Sequence, residues 1–311
     1  MAKILITESV HPIGPELLTA AGHTVVYADR DMDIIRREIV DADAVLVRII
    51  ELPGSLLATA KNLKIVSKHG VGYDNIDLDY CKNHGVAVTI TPNANSLSVA
   101  EHAFTLMLTL AKNIIPVSNE YREIGFAAKN HAPGIEMTGK TLGLVGMGRI
   151  GKHILHMCRD GLDMHVIVYD PYISEVPEGV EKVDDLSELL RRADVVTLHC
   201  LLTDETRKLI DRERLALMKP TALLINCARG PIVDEAALIE ALENGRLAGA
   251  GLDVTDPEPV APDSPLFKLP NVIVTPHYAP TTVESATRVS KIAAENINAV
   301  LAGQEPVGRI V

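Results

Sequence analysis

The chain has no tryptophan and only three phenylalanines among its 311 residues, so its core has to be built from aliphatic side chains. Cysteine is scarce as well. Cys81, Cys158, Cys200 and Cys227 form no CxxC pair, which argues against a disulfide framework or a thiolate zinc site and makes a reducing cytoplasm the expected compartment. No apolar run approaches the ~18 residues of a bilayer-spanning helix. The start, "MAKILITESV", has no basic region ahead of a long apolar stretch, and it reads as a first strand, not a signal peptide. Positive charge is in short supply too. With 30 Lys and Arg against 41 Asp and Glu the net charge is -11, a poor match for nucleic acid or an anionic membrane surface. An anionic small substrate would therefore need a local basic pocket.

What the chain does have is a rhythm. Short β-rich apolar runs, "KILIT" (3–7), "TVVYA" (24–28), "AVLV" (44–47), "KIVS" (64–67) and "VAV" (86–88), alternate with helical patterns, one of which starts near Pro12. A second series begins at "TLGLVG" (141–146). It continues with "HVIVYD" (165–170), "VVTLHC" (195–200), "ALLINCA" (222–228), "AGAGLDV" (248–254) and "NVIVTP" (271–276). Unbroken apolar runs predict strands buried on both faces, and their alternation with helices predicts parallel sheets covered by helices. Two such series in a chain of this length predict two α/β domains. Between them, 95–114 reads as a long, mostly apolar helix buried in something, in part in a second subunit. A last helix is predicted over 281–303, ending at Gly303.

The segment "TLGLVGMGRIGKHI" (141–154) is a strand, a glycine turn and the start of a helix. In Gly146-x-Gly148-x-x-Gly151, the first glycine permits the tight turn, the second a close approach of backbone to a pyrophosphate, and the third close helix–strand packing. The helix N-terminus offers N–H groups to the phosphates. Asp170 ends the next strand. A carboxylate there bonds ribose hydroxyls and repels a 2′-phosphate, which points to NAD over NADP. Eleven histidines compete for the proton-transfer role that hydride chemistry requires, and composition does not choose among them.

"HGVGYDNID" (69–77), "LVGMGRIG" (144–151), "NCARGPIVDEAAL" (226–238), "GLDVTDPEP" (251–259) and "NVIVTPH" (271–277) together make the chain resemble the D-isomer-specific 2-hydroxyacid dehydrogenases along almost its whole length. The resemblance implies a Rossmann-type NAD domain, 97–280, inserted into a flavodoxin-like substrate domain, 1–96 plus 281–311. It implies a triad of Arg229 on the substrate carboxylate and 2-oxo group, His277 as acid/base, and Glu258 hydrogen-bonded to His277. It puts Gly146, Gly148, Arg149, Ile150, Gly151, Asp170, Cys200, Thr206, Cys227, Ala228 and Asp253 at the cofactor, with Asp253 on the nicotinamide amide. Val71 and Gly72 would form a backbone nest for the carboxylate. A homodimer through residues 96–138 is implied as well.

The chain departs from the family pattern in places. Leu201 stands where a proline is usual, Tyr278-Ala279-Pro280 where small residues follow the histidine, and Ile49 where serine is common. For Arg48 and Lys68 two readings stand: a site for a second anionic group, as in relatives acting on 3-phosphoglycerate, or solvated charges. His153 and His156 have i,i+3 spacing but no third ligand, and no metal is expected. The rival to an enzyme is an NADH-sensing, corepressor-like binding protein with little turnover.

Overall fold

The computed structural model describes residues 1–311. They divide into two compact units, Met1–Asn95 with Pro280–Val311, and Ser96–Ala279. No helix is long and apolar enough to cross a membrane.

The first unit holds a five-stranded sheet of β1 (Lys3–Ile6), β2 (Thr24–Tyr27), β3 (Ala44–Val47), β4 (Ile65–Lys68) and β5 (Ala87–Thr89). The order is β2-β1-β3-β4-β5 and every pairing is parallel. Period-two alternation explains why the runs are unbroken. Ile4, Ile6, Leu46 and Ile65 face Ala293 and Ile297 of the C-terminal helix Val283–Leu301. Leu5, Val45, Val47 and Val66 face Ile35, Ile39 and Leu57 on the other side. That last helix is capped by Thr282, whose hydroxyl accepts from Ser285 N at 3.1 Å. It stops before Gly303, which takes the left-handed conformation with φ +72° that ends helices.

The second unit holds seven parallel strands: β6 (Thr141–Val145), β7 (His165–Tyr169), β8 (Val180–Lys182), β9 (Val195–Leu198), β10 (Leu223–Asn226), β11 (Gly249–Leu252) and β12 (Val272–Val274). Their order is β12-β11-β10-β9-β6-β7-β8. The chain reverses its direction of travel between β6 and β9. In doubly wound sheets such a switch point opens a crevice at the strands' carboxyl ends. Both units are therefore α/β, and the second has the dinucleotide-binding winding.

Two elements differ from expectation. β8, "VEK", has no apolar run to announce it, because it is a three-residue edge strand with two charged residues. The single helix expected over 95–114 stops at Ala111. A separate helix, Ile114–Ile124, starts after Asn113, which takes φ +52°. The helix Ser96–Ala111 lies close on β11, because an added Cβ on Gly251 would sit 3.0 Å from Leu106 Cβ. Residues 102, 106 and 110 share one face of a helix. His102 is thereby aimed at the carboxyl ends of β11 and β12.

Candidate active site

The glycine turn is built for close backbone contact. Gly146 has φ +89°, and an added Cβ would lie 2.9 Å from Cys200 N. A Cβ on Gly151 would lie 2.3 Å from Gly146 O, which fixes the approach of helix Arg149–Leu162 to β6. Gly148 meets no atom within 4 Å. It begins the helix, and no side chain caps the first turn. The N–H groups around Arg149 and Ile150 are therefore open to an anion. Asp170, just past β7, accepts from Met147 N at 2.8 Å and Tyr172 N at 3.0 Å. Its carboxylate braces the turn, and each oxygen keeps a lone pair. An uncapped helix end, an open glycine and a carboxylate beside them fit the diphosphate and ribose of NAD.

The remaining residues expected at the cofactor gather at the same edge. Burial pushes the Cys200 thiol up to about 11 and the Cys227 thiol well above its ordinary value, so neither offers a thiolate near neutral pH. Thr206 donates to Leu201 O at 2.6 Å and accepts from Thr203 N at 2.8 Å, tying down the loop that lacks the usual proline. Ala228 N donates to Asn226 Oδ1 at 3.0 Å.

Arg229, Glu258 and His277 come from loops at the carboxyl ends of β10, β11 and β12. Those loops touch through backbone. A Cβ on Gly230 would lie 1.9 Å from Thr255 O, so only glycine lets the Arg229 turn rest on the β11 loop. Arg229 donates from its guanidinium to Ala228 O at 2.8 Å. His277 Nδ1 lies 2.7 Å from Glu258 Oε1. An ionised carboxylate accepts only, which puts the proton on Nδ1 and leaves Nε2 for other work.

Asp253 does more than its motif announced. It is 1 % exposed. Its carboxylate accepts from Thr275 Oγ1 at 2.6 Å, Tyr278 N at 2.7 Å and Ala279 N at 2.9 Å. Its carbonyl accepts from His277 N at 2.8 Å. His102 Nε2 lies 3.0 Å from Thr275 Oγ1 and 3.4 Å from Asp253 Oδ1. Sequence reasoning missed His102 and Thr275, although Thr275 lay inside a quoted motif two residues before His277.

In the first unit, Arg48 follows β3 and Lys68 ends β4. Lys68 is buried and its ammonium donates to Arg48 O and, at 2.6 Å, to Asn75 Oδ1. It is thus not a solvated charge but a clamp on the loop from β4. Arg48 is half-buried and spends one guanidinium N–H on Ser9 O at 3.1 Å. Val71 and Gly72 lie in the loop after β4, and their N–H groups donate to no protein acceptor. His156 on helix Arg149–Leu162 pairs with Asp160 at 2.8 Å, and no three His, Cys, Asp or Glu gather as a metal site.

The family model for the D-isomer specific 2-hydroxyacid dehydrogenase NAD binding domain matches residues 104–279. A D-3-phosphoglycerate dehydrogenase of Methanocaldococcus jannaschii is 42 % identical over 308 residues, which is 98 % of this chain but 58 % of that protein. The chain thus spans little more than half the length of that relative. A glyoxylate reductase of Thermofilum pendens is 38 % identical over 98 % of this chain and 93 % of its own length. A crystal structure of a Thermus thermophilus protein superposes with a TM-score of 0.93 at 35 % identity, covering 99 % of this chain and 100 % of that one.

Proposed function

The chain belongs to the D-isomer specific 2-hydroxyacid dehydrogenase family, and we propose that it reduces a 2-oxo acid to a D-2-hydroxy acid, or runs the reverse oxidation, with NAD(H). The observation that carries this reading is the 2.7 Å pair of His277 Nδ1 and Glu258 Oε1, the Glu258 loop being packed against the Arg229 turn. NAD(H), when bound, supplies or accepts the hydride at C2.

The chain's own residues take the remaining tasks. Backbone around Gly148–Gly151 holds the diphosphate and Asp170 the ribose hydroxyls. Asp253 Oδ2, which has one backbone N–H from Ala279, is left for the nicotinamide amide. In the reductive direction His277 delivers a proton from Nε2 to the nascent hydroxyl oxygen, while Nδ1–H stays on Glu258. Arg229 polarises the 2-oxo group and neutralises the carboxylate, a task suited to a planar fork of donors. The unpaired N–H groups of Val71 and Gly72 suit the carboxylate as well.

The charges support one substrate class. Lys68 is committed to Asn75 and Arg48 O, so a second anionic group falls to Arg48, which keeps guanidinium donors open. A doubly anionic 2-oxo acid such as phosphohydroxypyruvate fits that arrangement, and the relative named D-3-phosphoglycerate dehydrogenase supports it. We also assign a homodimer through residues 96–138, where Ile114, Ile115, Tyr121 and Phe126 are exposed, and a cytoplasmic location.

Loss of NADH absorbance with glyoxylate, hydroxypyruvate, phosphohydroxypyruvate, sulfopyruvate and branched 2-oxo acids tests the reading. Turnover favouring a doubly anionic acid, with a raised KM in Arg48→Ala for that acid alone, is expected. No turnover of any acid while NADH still binds would sink the enzyme reading and favour an NADH sensor.

A further inference from the structure

We propose that His102, acting through Thr275 and Asp253, is a positioning residue for His277. The proposal rests on the dehydrogenase reading above. It starts from an unusual backbone. His277 has φ +52° without being glycine, a left-handed conformation that the surroundings must hold in place. The surroundings that do so are Asp253. Three successive N–H groups, from His277, Tyr278 and Ala279, close on its carbonyl and carboxylate at 2.7–2.9 Å.

A buried carboxylate serves as such an anchor only if it is itself held. Asp253 Oδ1 takes a hydroxyl from Thr275 at 2.6 Å, and that hydroxyl has one proton. With its proton spent on Asp253, Thr275 Oγ1 must accept from His102, 3.0 Å away. That requirement places a proton on His102 Nε2 and gives the chain of bonds one direction, His102 to Thr275 to Asp253. His102 can reach because Gly251 lets its helix lie close on β11. The ring also meets the Tyr278 ring edge-on at 6.2 Å. His102 thus touches both the anchor's partner and the residue after His277, while hydrogen-bonding neither Glu258 nor His277.

The test compares His102→Leu, His102→Gln and Thr275→Val with wild type, using the panel acid that wild type reduces fastest and NADH titration. Gln can return the N–H donor, and Val keeps the shape of Thr if the His102 variant does not fold. In His102→Leu and Thr275→Val, kcat is expected to fall about tenfold or more while KM and NADH affinity stay within about twofold, as for a misplaced catalytic group. His102→Gln should recover most of kcat. On the same samples, imidazole ¹⁵N shifts of His277 should lose the Nδ1–H signature of the Glu258 bond in Thr275→Val. This readout needs no turnover, so it separates failure of the network from failure of the dehydrogenase reading. Unchanged kcat and shifts, a Gln variant as impaired as Leu, or a KM that rises and an NADH affinity that falls along with kcat would overturn the proposal.

Discussion

The role proposed for His277 joins two demands in one residue: its ring must carry a proton, and its backbone must stay in a left-handed bend. The ring demand predicts that His277→Asn lowers kcat by about 10²–10⁴-fold while NADH binds as before. Steady-state rates with a fluorescence titration of NADH check it, and unchanged turnover would remove His277 from the acid/base role. A second histidine makes an opposite prediction, about stability alone. His199, just past β9, bonds Thr197 Oγ1 through Nε2 at 2.8 Å and has a buried Nδ1 with no partner. Burial pushes its pKa down to about 4, so the folded protein keeps it neutral where the unfolded chain protonates it near 6.5. Stability present above about pH 6.5 is therefore lost as the pH falls toward about 4, by at most about 1 kcal/mol per pH unit for this one group. Urea midpoints between pH 7 and 4.5 should fall less steeply in His199→Gln than in wild type. Equal slopes would mean that the ring already charges in the folded state.

Loops at the carboxyl ends of the strands carry the site, and glycines set how closely they pack. Gly230 is the clearest case, since its missing Cβ would fall 1.9 Å from Thr255 O and 2.8 Å from Asp256 N. Those atoms are backbone, so a side chain there must push the Arg229 turn off the β11 loop. Gly230→Ala should lower Tm by several degrees and weaken turnover more than NADH binding; a wild-type melting curve would show that the two loops are not in contact. This dependence explains what was legible in the sequence and what was not. Both sheets were readable because strands such as β3 and β10 are buried on both faces and so are wholly apolar or nearly so. β8 was not, because an edge strand with Glu181 and Lys182 has no apolar face to show. The strand, glycine turn and helix at Gly146 to Gly151, with Asp170 after the next strand, were readable because local spacing alone defines them. The contact of His102 with Thr275 was not, because the two lie 173 residues apart along the chain. Lys68 was misleading for a related reason. Its charge is visible in sequence, but its burial against Asn75 is a product of the folded loop.

At the scale of the whole molecule, the first unit is built from two stretches far apart in the chain, and the second is continuous. The helix Ile114–Ile124 in the continuous unit has no buried residue. Ile114, Val117, Tyr121 and Ile124 recur at i, i+3, i+7 and i+10, which is one stripe of a helix. Ile114 is 54 % exposed, Tyr121 58 % and Ile124 45 %, and Phe126 beyond the helix is 72 % exposed. Scattered apolar residues need no explanation, but a helix that shows its only apolar stripe to solvent does. The sequence reads 95–114 as one long, mostly apolar helix, buried in part in a second subunit. The helix Ser96–Ala111 buries Val99, Ala103, Leu106, Met107 and Ala111 within the unit, and the exposed stripe lies beyond Asn113. A second copy of this chain, laying the same stripe against it, would cover the patch by the self-complementary contact of a two-fold dimer. Each copy would bring the same charges, so the centre of such a contact must be the apolar stripe and not its polar flanks. Tyr121→Asp with Ile124→Asp places four carboxylates across that axis. Sedimentation is expected to show a dimer for wild type and a monomer for the double variant, with the far-ultraviolet circular dichroism of the fold retained. A dimer that survives both charges would move the interface elsewhere and leave this stripe without an account.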